Sequence, residues 1–306
     1  MKDYLKYLDP QVLNKISRLD LKARLIVEGY IAGMHQSPYR GVSPEFIAHR
    51  EYVAGDDLRY LDWKVFGRSD RLYIKQYKQE TNLICYILFD VSESMAYGST
   101  DVNKLEYARY IAAALSYLMI QQQDAVGLVL FDSEIREIIT PHSNQGHLNL
   151  ILNQLSQVNA AQKTDFKLIS DYIIERLERK GLIIIISDLL DDPPGHPVGE
   201  PHNILAGLNK IKSKGQDIIV FHILDEFEMN FPFNILTRFE GLEQFPEITA
   251  DPMALRKDYL KAVGEYTDTI RRGCQGNRID YTLITTDKKL DVALSAYLAT
   301  RSARRI

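Results

Sequence analysis

Three polar segments of the sequence carry side chains that could bind a divalent cation. The first is Asp90-Val-Ser92-Glu-Ser94, which directly follows an apolar run; the second contains Thr164; the third begins with Asp188 after another apolar run. Two serines, one threonine and two aspartates offer hard oxygen donors with few formal charges, which suit Mg²⁺ or Mn²⁺ better than zinc. Hydroxyl and water ligands would leave the cation room for one more oxygen, and a carboxylate of another protein could supply it.

The apolar runs predict the strands that would position these side chains. Residues 83–89, LICYILF, are rich in branched and aromatic residues, as expected of a strand that is buried on both faces. Further along the chain, the sequence predicts a long helix at 104–122 and strands at 125–131, 182–186, 216–224 and 279–285. Alternating strands and helices predict right-handed crossovers and a doubly wound, mostly parallel α/β sheet. Ligands bind beyond the carboxyl ends of such strands, where the three polar segments lie.

The chain before residue 81 has a different composition. Residues 10–26 predict one or two amphipathic helices, whose apolar face later helices would bury. Closely spaced Gly, Pro and Asp at 33–67 predict turns and short strands, and residues 72–79 predict another strand. We therefore divide the chain into residues 1–80, with helices and a small β-rich subdomain, and residues 81–306, the α/β domain. A stretch rich in Phe, Pro and Gly near 231–251 predicts a short β excursion in the second domain.

The β-rich segment contains a dense group of charged and aromatic residues. Its main members are Tyr52, Asp56, Asp57, Arg59, Asp62, Trp63 and Arg68. In one interpretation, arginine side chains grip aspartate carboxylates around the only tryptophan and stabilise the subdomain. In the other, the group is a recognition surface, since polar and aromatic residues on irregular segments often bind partners. We favour the structural interpretation and retain these residues as a candidate second contact surface.

Composition argues against several functional classes. The net charge is -4 and the basic residues are spread along the chain, which argues against a nucleic-acid partner. Two cysteines cannot build a disulfide framework, so we expect a reducing compartment. Every apolar run is far shorter than the ~20 residues of a membrane helix, so we expect no membrane insertion. The sequence thus predicts a cytoplasmic protein.

An enzyme is the main alternative to a binding module. Asp90 follows a buried strand, and Asp188, Asp191 and Asp192 follow a later one, which is superficially similar to haloacid-dehalogenase-type phosphatases. Phosphoryl transfer there needs an acid two residues after the nucleophile to protonate the leaving group. Here Ser92 stands at that position, so we do not expect catalysis. A structural scaffold with a vestigial site is a third alternative.

The polar segments also resemble those of a known family. Asp-Val-Ser-Glu-Ser matches the DxSxS signature of the metal-ion-dependent adhesion site in von Willebrand factor A-like (vWA-like) domains, and Thr164 and Ser187-Asp188 match its second and third loops in order. The segments GMHQSPYRG at 33–41 and EYVAGDDLRYLDW at 51–63, with Arg68, resemble the bacterial vWA-like proteins labelled domain-of-unknown-function family fifty-eight.

This resemblance implies a Mg²⁺-binding protein-interaction module, and it implies no particular reaction. It implies a partner as well, because genes of the family usually lie beside a MoxR-type AAA+ ATPase. By the same resemblance, Ser92 and Ser94 would bind the cation directly, and Thr164 directly or through water. Asp90 and Asp188 would bind it mostly through water.

Overall fold

The structure, a computed structural model, describes residues 8–34, 48–51, 73–76, 83–176, 180–191, 201–240 and 247–303. The chain forms two compact units. Met1–Gln36 and Leu83–Ile306 make the larger unit, and Ser37–Asn82 make the smaller one.

In the smaller unit, two short strands pair with each other. Strand β1 (Ala48–Glu51) runs antiparallel to β2 (Tyr73–Gln76), with Ala48 opposite Gln76. β2 lies within the strand predicted at 72–79. The candidate contact residues of this segment lie outside the described residues, so that surface stays a prediction: Tyr52, Asp56, Asp57, Arg59, Asp62, Trp63 and Arg68.

A six-stranded sheet forms the centre of the larger unit. Its strands are β3 (Ile84–Asp90), β4 (Ala125–Phe131), β5 (Ile135–His142), β6 (Leu182–Ser187), β7 (Asp217–Leu224) and β10 (Asp280–Thr285). Their order across the sheet is β10-β7-β6-β3-β4-β5. All neighbours pair in parallel except β5, which runs antiparallel to β4 at one edge. The chain enters at the centre with β3, extends the sheet to one side, and then crosses to β6 on the other. The predicted fold class, α/β with a doubly wound, mostly parallel sheet, is confirmed.

Helices cover both faces of this sheet. They are α1 (Pro10–Asn14), α2 (Leu19–Met34), α3 (Lys104–Gln121), α4 (Gln145–Gln157), α5 (Phe166–Arg176), α6 (His202–Ser213), α7 (Glu226–Asn230), α8 (Pro252–Gly276) and α9 (Asp291–Ala303). Successive strand residues point to opposite faces. Ile184 belongs to the core that contains residues of α2, α3, α4 and α9, whereas Ile183 and Ile185 belong to the core that contains residues of α5, α6 and α8. Within the described ranges, no helix is long and apolar enough to cross a membrane.

The N-terminal helices belong to the larger unit, which differs from the predicted division at residue 80. Ala23, Ile26 and Val27 of α2 are buried in the same core as α3. Lys22 is also buried there, and its Nζ lies 3.0 Å from the hydroxyl oxygen of Tyr110. Burial of this apolar face against a later helix explains why the helices stay with the α/β domain.

The edge strand β5 and the short helix α7 were not predicted from the sequence. In the region of the predicted β excursion, strands β8 (Thr237–Phe239) and β9 (Ile248–Ala250) form an antiparallel ribbon.

Candidate cation site

All five candidate ligands are buried near the carboxyl ends of β3 and β6. Asp90 is the last residue of β3, and Asp188 directly follows β6. Ser92 and Ser94 lie at the start of a single 3₁₀ turn, Glu93–Ala96. Because the strand order reverses between β3 and β6, these residues lie at the switch point where doubly wound sheets bind ligands.

Backbone hydrogen bonds bring the segment that contains Thr164 against the segment that follows β3. The amide of Ala161 donates to the carbonyl of Val91 over 2.8 Å, and the amide of Glu93 donates to the carbonyl of Gln162 over 2.8 Å. Gln162 has a φ of 63°, in the left-handed region, which turns the chain between these two contacts. Thr164 lies two residues further along the chain and is 7% exposed.

Asp90 has hydrogen-bond donors on both carboxylate oxygens. Its Oδ1 accepts from the amide of Ser92 over 2.9 Å, and its Oδ2 accepts from the hydroxyl of Ser187 at the end of β6. Burial, together with the nearby charge of Asp188, raises the pKa of Asp90 to about 7, although hydrogen bonds from Ser187 and Ser92 oppose the rise. A neighbouring positive charge would therefore stabilise the ionised carboxylate.

Two of the three hydroxyl groups hydrogen-bond to each other: the Oγ atoms of Ser92 and Ser94 lie 3.0 Å apart. In the part of the chain that the structure describes, the buried Oγ1 of Thr164 has no hydrogen-bond partner. A buried hydroxyl without a partner costs about 1–3 kcal/mol, and a bound cation would remove this cost. Within the same ranges, no three His, Cys, Asp or Glu side chains are grouped for metal binding, so a site here depends on hydroxyl oxygens as well as carboxylates.

A buried lysine contacts the site, and the sequence did not reveal it. Lys104 is fully buried at the start of α3, and its Nζ lies 2.8 Å from Oδ2 of Asp188 and 2.8 Å from Oε1 of Glu228. Burial alone would lower the pKa of Lys104, but the charges of these two carboxylates raise it above its ordinary value. The ammonium therefore stays charged beside a candidate ligand.

Glu228 could have been found from a local signal. It lies in α7, where Asp225 and Glu228 form a capping box: Asp225 accepts from the helix backbone, and Glu228 accepts from the Asp225 amide over 2.7 Å. The spacing Asp-x-x-Glu is a sequence signature of a helix start. Lys104 has no comparable signal, because only the folded structure shows that it is buried.

The fold and this site define an α/β protein with a cluster of buried polar side chains at the switch point of a doubly wound sheet. Residues 48–268 match the family described as "Protein of unknown function DUF58". The chain belongs to this family.

Relatives and solved structures with similarity to the chain include the following. "Uncharacterized protein Rv1480" of Mycobacterium tuberculosis is 22% identical over 298 residues, which cover 96% of this chain and 90% of the relative. The crystal structure of BatB from Bacteroides thetaiotaomicron has a TM-score of 0.47 at 14% identity and covers 72% of this chain and 99% of that one. The SpRpn10 VWA domain has a TM-score of 0.41 at 13% identity and covers 70% of this chain and 94% of that one.

Proposed function

We propose that this protein is a protein-interaction module that uses Mg²⁺, or Mn²⁺, to bind a carboxylate of its partner. The observation that carries the proposal is the buried, unpaired hydroxyl of Thr164 in a segment hydrogen-bonded to the one that carries Ser92 and Ser94. Ser92 and Ser94 would hold the cation directly, Thr164 would hold it directly or through water, and Asp90 and Asp188 would hold it mostly through water. When bound, the cation would supply an electrophilic centre that attracts an acidic side chain.

The residues of the chain would prepare this site in distinct ways. Ser187 and the amide of Ser92 fix the two oxygens of Asp90, so that the carboxylate stays oriented without a direct bond to the cation. The buried position of all five residues excludes bulk water and strengthens electrostatic attraction to the cation. Within this proposal the module is cytoplasmic and non-catalytic. The resemblance of its motifs to vWA-like proteins suggests a MoxR-type AAA+ ATPase, or its client, as the partner.

Calorimetric titration with Mg²⁺ tests the cation site. The double variant Ser92→Ala, Ser94→Ala should lose Mg²⁺ binding while keeping the circular dichroism spectrum of the wild type, because it removes two hydroxyl ligands and little volume. Ser116→Ala is a matched control, since Ser116 is a buried serine of α3 whose Oγ also lacks a partner among the described residues. It should bind Mg²⁺ as the wild type does. Unchanged Mg²⁺ affinity in the double variant would rule out the proposed site.

A binding experiment with a purified MoxR-type ATPase tests the partner. The complex should form with Mg²⁺, dissociate with a chelator, and fail to form with the double serine variant. A complex that survives chelation would contradict a cation-bridged contact. Hydrolysis of a generic phosphomonoester, dependent on Mg²⁺ and lost in Asp90→Asn, would instead favour the phosphatase alternative.

A further inference from the structure

We infer that Lys104 is a positioning residue that limits the cation affinity of the site. Its ammonium is fully buried and lies between the carboxylates of Asp188 and Glu228. The inference rests on the proposed function, since it concerns the cation that Asp188 would help to hold.

Lys104 fixes one side of Asp188. The ammonium contacts Oδ2, while the amide of Leu190 donates to Oδ1 over 3.2 Å. Both carboxylate oxygens therefore have donors, and Asp188 is oriented before any cation arrives. A fully buried lysine is rare in proteins and needs paired carboxylates to offset its desolvation. The position of this lysine beside a candidate ligand is thus a specific feature of the site.

Lys104 also changes the charge that an incoming cation meets. Without it, the carboxylates of Asp90, Asp188 and Glu228 would face an incoming cation with no positive charge among them. With it, one positive charge lies within hydrogen-bonding distance of Asp188 and repels a divalent cation through a medium of low polarity. The ammonium therefore makes the wild-type site less negative than its carboxylates alone would make it, and a partner's carboxylate adds negative charge to the site.

Glu228 weakens the repulsion between Lys104 and a cation, because its carboxylate and that of Asp188 both pair with the Lys104 ammonium. Its other oxygen, Oε2, accepts from the amide of Asp225, so the side chain is held in place by the helix start. Neutralising Glu228 would leave Asp188 as the only carboxylate paired with Lys104. The positive charge of the ammonium would then be balanced by Asp188 alone and would oppose the cation more strongly.

The test measures Mg²⁺ affinity by calorimetry and Tm in the presence of a chelator, on the full chain. Lys104→Met should lower Tm in the chelator, because it leaves buried carboxylates unpaired, yet tighten Mg²⁺ binding by about tenfold or more, because it removes the repulsion. Glu228→Gln should weaken Mg²⁺ binding by about threefold or more. A lysine with a merely structural role would lower Tm without tightening cation binding.

Lys22→Met is a matched control, since Lys22 is also buried and paired, with its Nζ 3.2 Å from Oε1 of Glu106. It should lower Tm and leave Mg²⁺ affinity unchanged. If the wild type binds Mg²⁺ and Lys104→Met binds it no more tightly, the inference fails and the proposed function stands. If neither protein binds Mg²⁺, the proposed function fails and the inference with it. Should Lys104→Met not fold, unchanged or tighter binding by Glu228→Gln overturns the inference.

Discussion

Replacing Asp90 with Asn should stabilise the protein at neutral pH when divalent cations are absent. Asp90 is fully buried near the charge of Asp188, so its ionised form is costly in the folded protein. Asparagine keeps the shape of the side chain, can still accept from the amide of Ser92, and can donate to the hydroxyl oxygen of Ser187. The substitution therefore removes a charge and retains the local hydrogen bonds.

The magnitude follows from the pKa of Asp90, which rises from 3.8 to about 7 on folding. Because the folded state binds this proton more tightly than the unfolded state, the contribution to stability is present below pH 4 and is lost as pH rises to 7. This difference between the folded and unfolded pKa values corresponds to about 4 kcal/mol of folding free energy. The free energy of unfolding of Asp90→Asn should therefore exceed that of the wild type by up to about 4 kcal/mol at pH 8 and by little at pH 4.

Urea denaturation in a chelator, at several pH values, measures this difference. The free energy of unfolding of the variant relative to the wild type should increase between pH 4 and pH 7 and then level off. Asp132→Asn is the matched control: Asp132 is a buried carboxylate after the neighbouring strand β4, but its Oδ2 lies 2.7 Å from Nε of Arg136. That substitution should destabilise the protein. An Asp90→Asn variant that is less stable than the wild type at pH 8 would refute the reasoning.

Three further substitutions should change stability in defined directions, each measured by urea denaturation in a chelator. Thr164→Val removes a buried, unpaired hydroxyl and should raise the free energy of unfolding by about 1 kcal/mol. Calorimetry should show that the variant binds Mg²⁺ more weakly. A loss of stability would mean that the Thr164 hydroxyl has a hydrogen-bond partner in the wild type. Asp225→Ala removes the cap of α7 and the acceptor for the Thr286 hydroxyl, and should cost about 2–3 kcal/mol; a cost below 1 kcal/mol would contradict the role of the cap. Gly181→Ala would place a Cβ 2.5 Å from the carbonyl oxygen of Ile84 and should cost about 1–3 kcal/mol, and a neutral result would show that the backbone can relax there.

Hydrophobicity alone was enough to predict the central strands. Residues 182–187 form a strand that is buried throughout, so the run Leu-Ile-Ile-Ile-Ile is explained by burial on both faces. The long helix was predicted at 104–122 and extends from Lys104 to Gln121, with apolar residues at helical spacing. Asp90 and Asp188 were predicted to meet because both end central strands, and the structure places them close enough for their charges to interact.

The features that the sequence did not reveal depend on contacts that form only in the folded protein. Strand β5 pairs with one neighbour only and has irregular register with β4. Most of its residues are exposed or partly buried, so its apolar signal is weak. Lys104 gives no local signal at all. Its two carboxylate partners lie 84 and 124 residues away in the chain, and nothing near Lys104 in sequence indicates that its ammonium is buried.

The place of β3 in the sheet has a consequence for folding. The hydrogen bond between Asp90 and Ser187 joins residues 97 positions apart, and it forms across the boundary where the chain changes direction in the sheet. Contacts of such large sequence separation form slowly, because the loop between them must first be closed. The two sides of the proposed cation site therefore come together only when both halves of the sheet have joined. Mg²⁺ would then bind the native state and not partly folded chains, and would protect the finished protein by mass action.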